Sequence, residues 1–143
     1  MKTTREITYG QVIWTALLVE LTLAAAQFLY LTFYSRSNPA AEIILPSEYL
    51  KTGGFYIFQV VGMAIYILVV YIFARSGTSK LINKVLILVV MGGAIELSAY
   101  IMMESLYAGL IVLSFLDKLL AASIGLWLYT YAIRRVNRQS YVQ

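Results

Sequence analysis

Four apolar runs, each long enough to cross a lipid bilayer, constrain the fold of this chain more than any other feature of its sequence. They cover residues 11–34, 55–74, 83–103 and 108–133. A helix that crosses the hydrocarbon core needs about 20 consecutive, mostly apolar residues. Only 13% of the 143 residues are charged, against about 25% in a typical soluble domain. The sequence therefore predicts an all-α integral membrane protein, in which four transmembrane helices form one antiparallel bundle over residues 1–143.

The segments between the apolar runs predict the orientation of the protein. A loop at 35–53 follows the first run, a basic link at 75–83 joins the second and third runs, and a polar tail occupies 134–143. Lys and Arg are concentrated in the N-terminal head, the link and the tail, which four spans would place on one side. Because these residues accumulate in short cytoplasmic loops, both termini are expected to be cytoplasmic. The expected location is the plasma membrane or a cell inner membrane.

The first apolar run has a second interpretation, as a cleaved signal peptide. It follows a basic start and contains three consecutive alanines at 24–26 that resemble a cleavage site. However, Glu20 interrupts its apolar core, and the run continues through Phe33. A retained first helix is therefore predicted.

Two missing residue types exclude several kinds of site. The chain contains neither Cys nor His, so disulfides, thiolate metal sites and histidine ligation of zinc or haem are excluded. No nucleophile and base pair is apparent, and we predict no catalytic residue, metal or cofactor. The net charge of +4 is explained by basic residues at one membrane face, so a nucleic-acid partner is not expected. The expected partners are the lipid bilayer and other membrane subunits.

Polar side chains inside the apolar runs are the main functional candidates, because charges at membrane depth are costly and often functional. A helical rise of 1.5 Å per residue places several of them at a similar depth in the outer half of the membrane. This predicted polar layer consists of Gln27, Gln59, Glu96, Tyr100, Asp117 and Lys118. Since a short turn joins the third and fourth runs, Lys118 is expected to bridge towards Glu96. Glu20 is predicted to be a separate, deeper carboxylate, ~20 Å from the outer face.

Small residues in the runs predict where helices approach one another closely. Ala121 and Gly125 form a small-xxx-small pair on the face of the fourth run that also carries Asp117. The predicted packing positions are Gly62, Gly92, Gly93, Ala121 and Gly125. Asp117 is therefore expected to point into the bundle.

The segment LDKLLAASIGLWL, residues 116–128, resembles the last helix of microbial rhodopsins, in which an Asp precedes the retinal-linking Lys by four residues. In this chain that position is Ala121, and the nearby lysine is Lys118. A retinal Schiff base at the position used by that family is therefore excluded, and no family is assigned.

Three functions are compatible with the sequence. The favoured one is a non-catalytic subunit of a homo- or hetero-oligomeric membrane assembly, whose polar layer fixes helix packing. The alternative is a small proton- or cation-coupled transporter or channel that uses the intramembrane carboxylates and Lys118. A second alternative is an intramembrane enzyme acting on a lipid or isoprenoid, with Glu96 or Asp117 as acid or base.

Overall fold

The computed structural model describes residues 6–37, 53–102 and 108–140. They form four α-helices, which are α1 (Tyr9–Ser37), α2 (Gly53–Arg75), α3 (Leu81–Met102) and α4 (Ala108–Ser140). Each helix is long and apolar enough to cross a membrane. The prediction of an all-helical protein with four helices of membrane-spanning length is therefore confirmed. Most of the predicted loop at 35–53 and the turn before α4 lie outside the described residues.

The helices pack in the cyclic order α1, α3, α4, α2. The most extensive contacts are between α2 and α4, between α1 and α3, and between α3 and α4. The contact between α1 and α2 is smaller, and α2 and α3 touch across the diagonal. Every helix thus has two neighbours, and residues near the bundle axis are enclosed by side chains from all four.

An apolar core fills part of the bundle. Its fully buried side chains include Val12 and Ala16 of α1, Val70 of α2, Leu88 of α3 and Ala121 of α4. Many large apolar side chains cover the outside instead; Phe28 and Trp127 are among the exposed ones. An outer surface of this kind is typical of helices in contact with lipid, because only the hydrocarbon region covers so many apolar groups.

Two glycines let backbones approach each other at the packing contacts of α4. A Cβ atom at Gly125 would lie 2.8 Å from the carbonyl oxygen of Ile67 on α2. A Cβ atom at Gly93 of α3 would lie 2.9 Å from the carbonyl oxygen of Ser114. Both distances are too short for a side chain, so α4 meets α2 and α3 backbone to backbone at these points.

The start of α1 is fixed locally by a capping box. The Thr8 hydroxyl oxygen accepts a hydrogen bond from the backbone N–H of Gln11 at 3.3 Å, and the Gln11 side-chain oxygen accepts one from the backbone N–H of Thr8 at 2.8 Å. This reciprocal pair satisfies two of the backbone donors that a helix start leaves free. It explains why α1 begins at Tyr9.

The residues before α1 also hold the link between α2 and α3. Ile7 donates its backbone N–H to the Thr78 hydroxyl at 3.3 Å, and Glu6 accepts hydrogen bonds from Ser79 and from Lys84 Nζ. We call these five residues the N-terminal clasp. The Ser79 hydrogen bond and the Lys84 charge hold the pKa of the Glu6 carboxyl below its usual range.

Candidate functional site

The centre of the candidate site is Lys118, which is only 4% exposed. Its ammonium contacts the Glu96 carboxylate directly and lies 3.5 Å from Glu20 Oε1 and 3.9 Å from Asp117 Oδ1. The Asp117 carboxylate also accepts a hydrogen bond from the backbone N–H of Lys118 at 2.6 Å. One ammonium therefore faces three carboxylates in the interior of the bundle. We call these four residues the ion cluster.

Tyrosine and glutamine side chains add hydrogen bonds to the two glutamates. The Tyr66 hydroxyl donates to Glu20 Oε1 at 2.7 Å, and the Tyr100 hydroxyl donates to Glu96 Oε1 at 2.7 Å. Gln59 donates its side-chain N–H to the same Glu96 oxygen at 3.1 Å. The result is a continuous polar chain from α1 and α2 through Lys118 to α3.

Gly92 makes room for one end of this chain. A Cβ atom at this position would overlap the Tyr66 hydroxyl and lie 3.1 Å from Glu20 Oε1. Any side chain larger than hydrogen would therefore push Tyr66 away from Glu20. Because Gly92 has no side chain, Tyr66 of α2 can reach Glu20 of α1 and form this hydrogen bond next to α3.

A cavity of about 280 Å³ lies beside the ion cluster. All four members of the cluster line it, as do the aromatic rings of Phe58, Tyr66 and Tyr100. The remaining lining side chains are mostly apolar and include Leu21, Leu23, Ala24, Ile95, Ala99 and Met102. The site is thus an apolar cavity with one strongly polar wall, which is the usual composition of a binding pocket.

The formal charges of the ion cluster do not cancel. Three ionised carboxylates and one ammonium give a net charge of −2 when every group is ionised. A net charge in the interior is costly, because protein and hydrocarbon solvate it poorly. Additional positive charge, either as protons on the carboxylates or as a cation in the cavity, would therefore stabilise the cluster.

The structure places all six members of the predicted polar layer around one cavity. Gln59, Glu96, Tyr100, Asp117 and Lys118 all line the cavity. Gln27 also lines it but makes no hydrogen bond to another described residue. These six residues thus share one region of the bundle.

The position of Glu20 differs from the expectation of a separate, deeper carboxylate. Glu20 lies beside Gly92, one helical turn from Glu96 on α3, and its Oε1 is 3.5 Å from Lys118 Nζ. One helical turn rises only ~5.4 Å, so an offset of this size does not keep Glu20 apart from the groups around Glu96. The long Lys118 side chain reaches both glutamates, so Glu20 belongs to the same cluster.

The predicted packing positions have different neighbours. Gly125 faces backbone and Gly93 faces both backbone and the Phe115 ring, whereas Gly62 faces the Leu23 side chain and Gly92 faces Tyr66 and Glu20. Ala121 is fully buried in the apolar core. Gly92 is therefore part of the polar site as well as a contact between helices.

Tyr66 is the functional candidate that the sequence interpretation missed. It is not among the predicted site residues, yet it is 2% exposed and its hydroxyl donates to Glu20. A usable signal was present, because Tyr66 follows Gln59 by seven residues and therefore shares its helix face. Among the described residues, no group of three or more His, Cys, Asp or Glu side chains is arranged to hold a metal ion.

Comparisons of this chain with protein-family models, with curated proteins and with solved structures found no match. The four apolar helices and the ion cluster beside its cavity are therefore the basis for any statement about function. They identify a small membrane protein of the multi-pass type.

Proposed function

We propose that this protein carries protons or other cations through the membrane by way of the ion cluster and its cavity. The observation that carries the proposal is the ratio of three carboxylates to one ammonium around a cavity of about 280 Å³. Intramembrane carboxylates are the groups that proton relays and cation pathways use. An apolar pocket without this charge would give no reason to expect cation binding.

The excess carboxylates provide a simple cycle. When the cavity is empty of cations, protons neutralise the excess charge. Each positive charge that enters the cavity replaces one of those protons, because the total positive charge that the cluster needs is unchanged. Lys118 can change partners among the carboxylates that surround it, so each step keeps the buried charges paired. Binding of a cation is thereby coupled to release of protons.

The proposal includes an antiparallel bundle with both termini cytoplasmic, in a plasma membrane or cell inner membrane. Its support is the concentration of Lys and Arg in the N-terminal head, the link at 75–83 and the tail. The N-terminal clasp is consistent with it, because Glu6 contacts Ser79 and Lys84 of the link region. Assembly into an oligomer is also part of the proposal, since four helices rarely enclose a transport route alone.

The test is cation-dependent proton flux in liposomes that contain the purified protein. Glu20→Gln, Glu96→Gln and Asp117→Asn should each reduce the flux to the level of empty liposomes, because each removes one exchangeable charge. Glu6→Gln, which changes a carboxylate outside the cavity, is the matched control and should retain the flux. If all three cavity variants transport like the unmodified protein while remaining folded, the proposal is wrong.

A second candidate function is supported by the contacts of Glu96. This carboxylate receives Lys118, Tyr100 and Gln59 together, which is the arrangement of a static pair that fixes the register of helices. In that case the protein would be a non-catalytic subunit of a membrane assembly. The double variant Lys118→Met with Glu96→Leu would then restore most of the assembly that Lys118→Met alone loses, and no variant would affect flux.

A further inference from the structure

We propose that the ligand of the cavity is an amphipathic organic cation, with one ammonium head and one small aromatic or aliphatic body. This inference rests on the proposed function and narrows it, because it distinguishes such a cation from a proton or an inorganic ion. Three features of the cavity carry it: a free carboxylate oxygen, an aromatic wall and an apolar opening. Each feature recognises a different part of the ligand.

The free carboxylate oxygen belongs to Glu20. This residue is 7% exposed and lines the cavity. Both of its polar contacts, from Tyr66 and from Lys118, are made by Oε1. Its Oε2 atom has no donor among the described residues. Oε2 is not one of the fully buried side-chain atoms without a partner, so it is accessible from the cavity. It is the natural negative counter-charge for the cationic head, with Asp117 on the same cavity wall.

The aromatic wall suits a cation that is weakly hydrated. Phe58, Tyr66 and Tyr100 contribute rings to the lining, and Tyr66 already holds the Lys118 ammonium 5.5 Å from its ring centroid. Aromatic faces attract ammonium groups, and they do so most strongly when the cation is desolvated. Inorganic ions such as Na⁺ prefer shells of several oxygen ligands, and among the described residues no group of three or more His, Cys, Asp or Glu side chains is arranged to hold a metal ion.

The opening of the cavity is also apolar. Its exposed lining residues are Leu21 and Ala24 of α1 and Ser98 and Met102 of α3, and Met102 is 85% exposed. The Ser98 hydroxyl is already used, because it donates to the carbonyl oxygen of Ala94 at 2.8 Å. These residues lie on helices that are apolar enough to span a membrane. A hydrated ion would lose its water at such an opening, whereas an amphipathic cation can arrive from the bilayer.

The size of the cavity limits the ligand. Pockets for drug-sized molecules usually measure about 300–1,000 Å³, and this cavity, at about 280 Å³, lies just below that range. It therefore fits one ring or a short alkyl chain together with an ammonium group. Benzyltrimethylammonium is a suitable probe, because its charge does not depend on pH. Its neutral carbon isostere is neopentylbenzene, which has the same shape without the charge.

The experiment measures binding of both probes, and of Na⁺, to the full-length protein in lipid nanodiscs by calorimetry. The cation should bind, and its isostere should bind at least tenfold more weakly. Glu20→Gln should weaken cation binding by about 30-fold or more, since it removes one partner of a buried charge pair. Glu6→Gln is the control and should bind like the unmodified protein.

A second variant keeps the test informative if Glu20→Gln does not fold. Ala24→Leu adds apolar volume at the opening without changing any charge, and it should slow association of the cation. Equal binding of the two probes, or binding of neither, would overturn the inference. Binding of Na⁺ alone with intact flux would overturn it too, while leaving the proposed function in place. Binding of the organic cation without proton exchange would support the ligand but contradict coupled transport.

Discussion

Lys118 and Lys84 are both buried lysines that face glutamates, but the two sites balance charge in different ways. Lys84 is 3% exposed and pairs with Glu6 at 3.3 Å. The Glu6 side chain is 59% exposed, and the Lys84 ammonium also lies 5.3 Å from the centroid of the Tyr9 ring. Lys118 is buried to the same degree, yet its glutamate partners are largely buried as well and a third carboxylate is close.

The comparison distinguishes a structural ion pair from a site in which the carboxylates outnumber the cation. At the N-terminal clasp one cation meets one carboxylate, and solvent reaches the acid. In the ion cluster one cation meets three carboxylates beside a cavity. Burial of a lysine is therefore common to both sites and cannot by itself indicate function. The excess of carboxylates, and a cavity lined by the charged side chains themselves, are the features that distinguish the ion cluster.

The largest expected effect comes from removing the ammonium of the ion cluster. Lys118→Met leaves Glu20 and Glu96 buried without their cation, and the free energy of unfolding should fall by about 3–5 kcal/mol. Denaturant unfolding in mixed detergent micelles measures it. Lys84→Met is the matched control. It should lower the free energy of unfolding by clearly less, because solvent remains available to Glu6. Equal losses for the two variants would remove the distinction between the sites.

A smaller effect is expected from filling the space below Tyr66. Gly92→Ala would force the Tyr66 hydroxyl away from Glu20 and should destabilise the protein by about 1–3 kcal/mol, as overpacked cores do. The double variant Gly92→Ala with Tyr66→Phe removes the clashing hydroxyl. It should recover part of the loss in the same unfolding experiment. If the stability lost in the double variant equals the sum of the losses in Gly92→Ala and Tyr66→Phe, Tyr66 is not the group that Gly92 accommodates.

The smallest effect concerns the pH dependence of the N-terminal clasp. The folded-state pKa of Glu6 lies below its ordinary value of 4.5, so its contribution to stability is fully present above that value. The contribution should be lost as the pH falls through the lowered pKa. The stability difference between the unmodified protein and Glu6→Gln should therefore shrink below pH 4.5. A difference that stays constant over this range would show that the carboxylate charge does not hold the clasp.

Much of the architecture follows from the sequence, because apolar length is a direct requirement of the bilayer. Four runs of sufficient length predict four helices, and all four are present. The proximity of Glu96 and Lys118 could also be anticipated, since a short turn between the third and fourth runs makes their helices neighbours. Such inferences depend on positions along one or two adjacent helices, which residue counting describes well.

The contacts that depend on how distant helices are aligned could not be predicted. The hydrogen bond between Tyr66 and Glu20 joins residues 46 positions apart, and its geometry depends on the missing side chain at Gly92. The place of Glu20 in the cluster depends on the reach of Lys118 across one helical turn. Neither the rotation of α1 nor its distance from α4 is encoded in a local pattern, so the cavity itself was not foreseen.

The glycine contacts described above have a consequence for how the walls of the cavity are joined. At Gly125 and Gly93 the main chain of α4 lies close to the main chains of α2 and α3. The glycines of α2 that face α1 instead meet side chains, which are Leu23 at Gly62 and Tyr30 at Gly54. The wall that carries Glu20 is thus joined to α2 through side chains, whereas the wall that carries Lys118 is joined to its neighbours at glycines, where main chains meet.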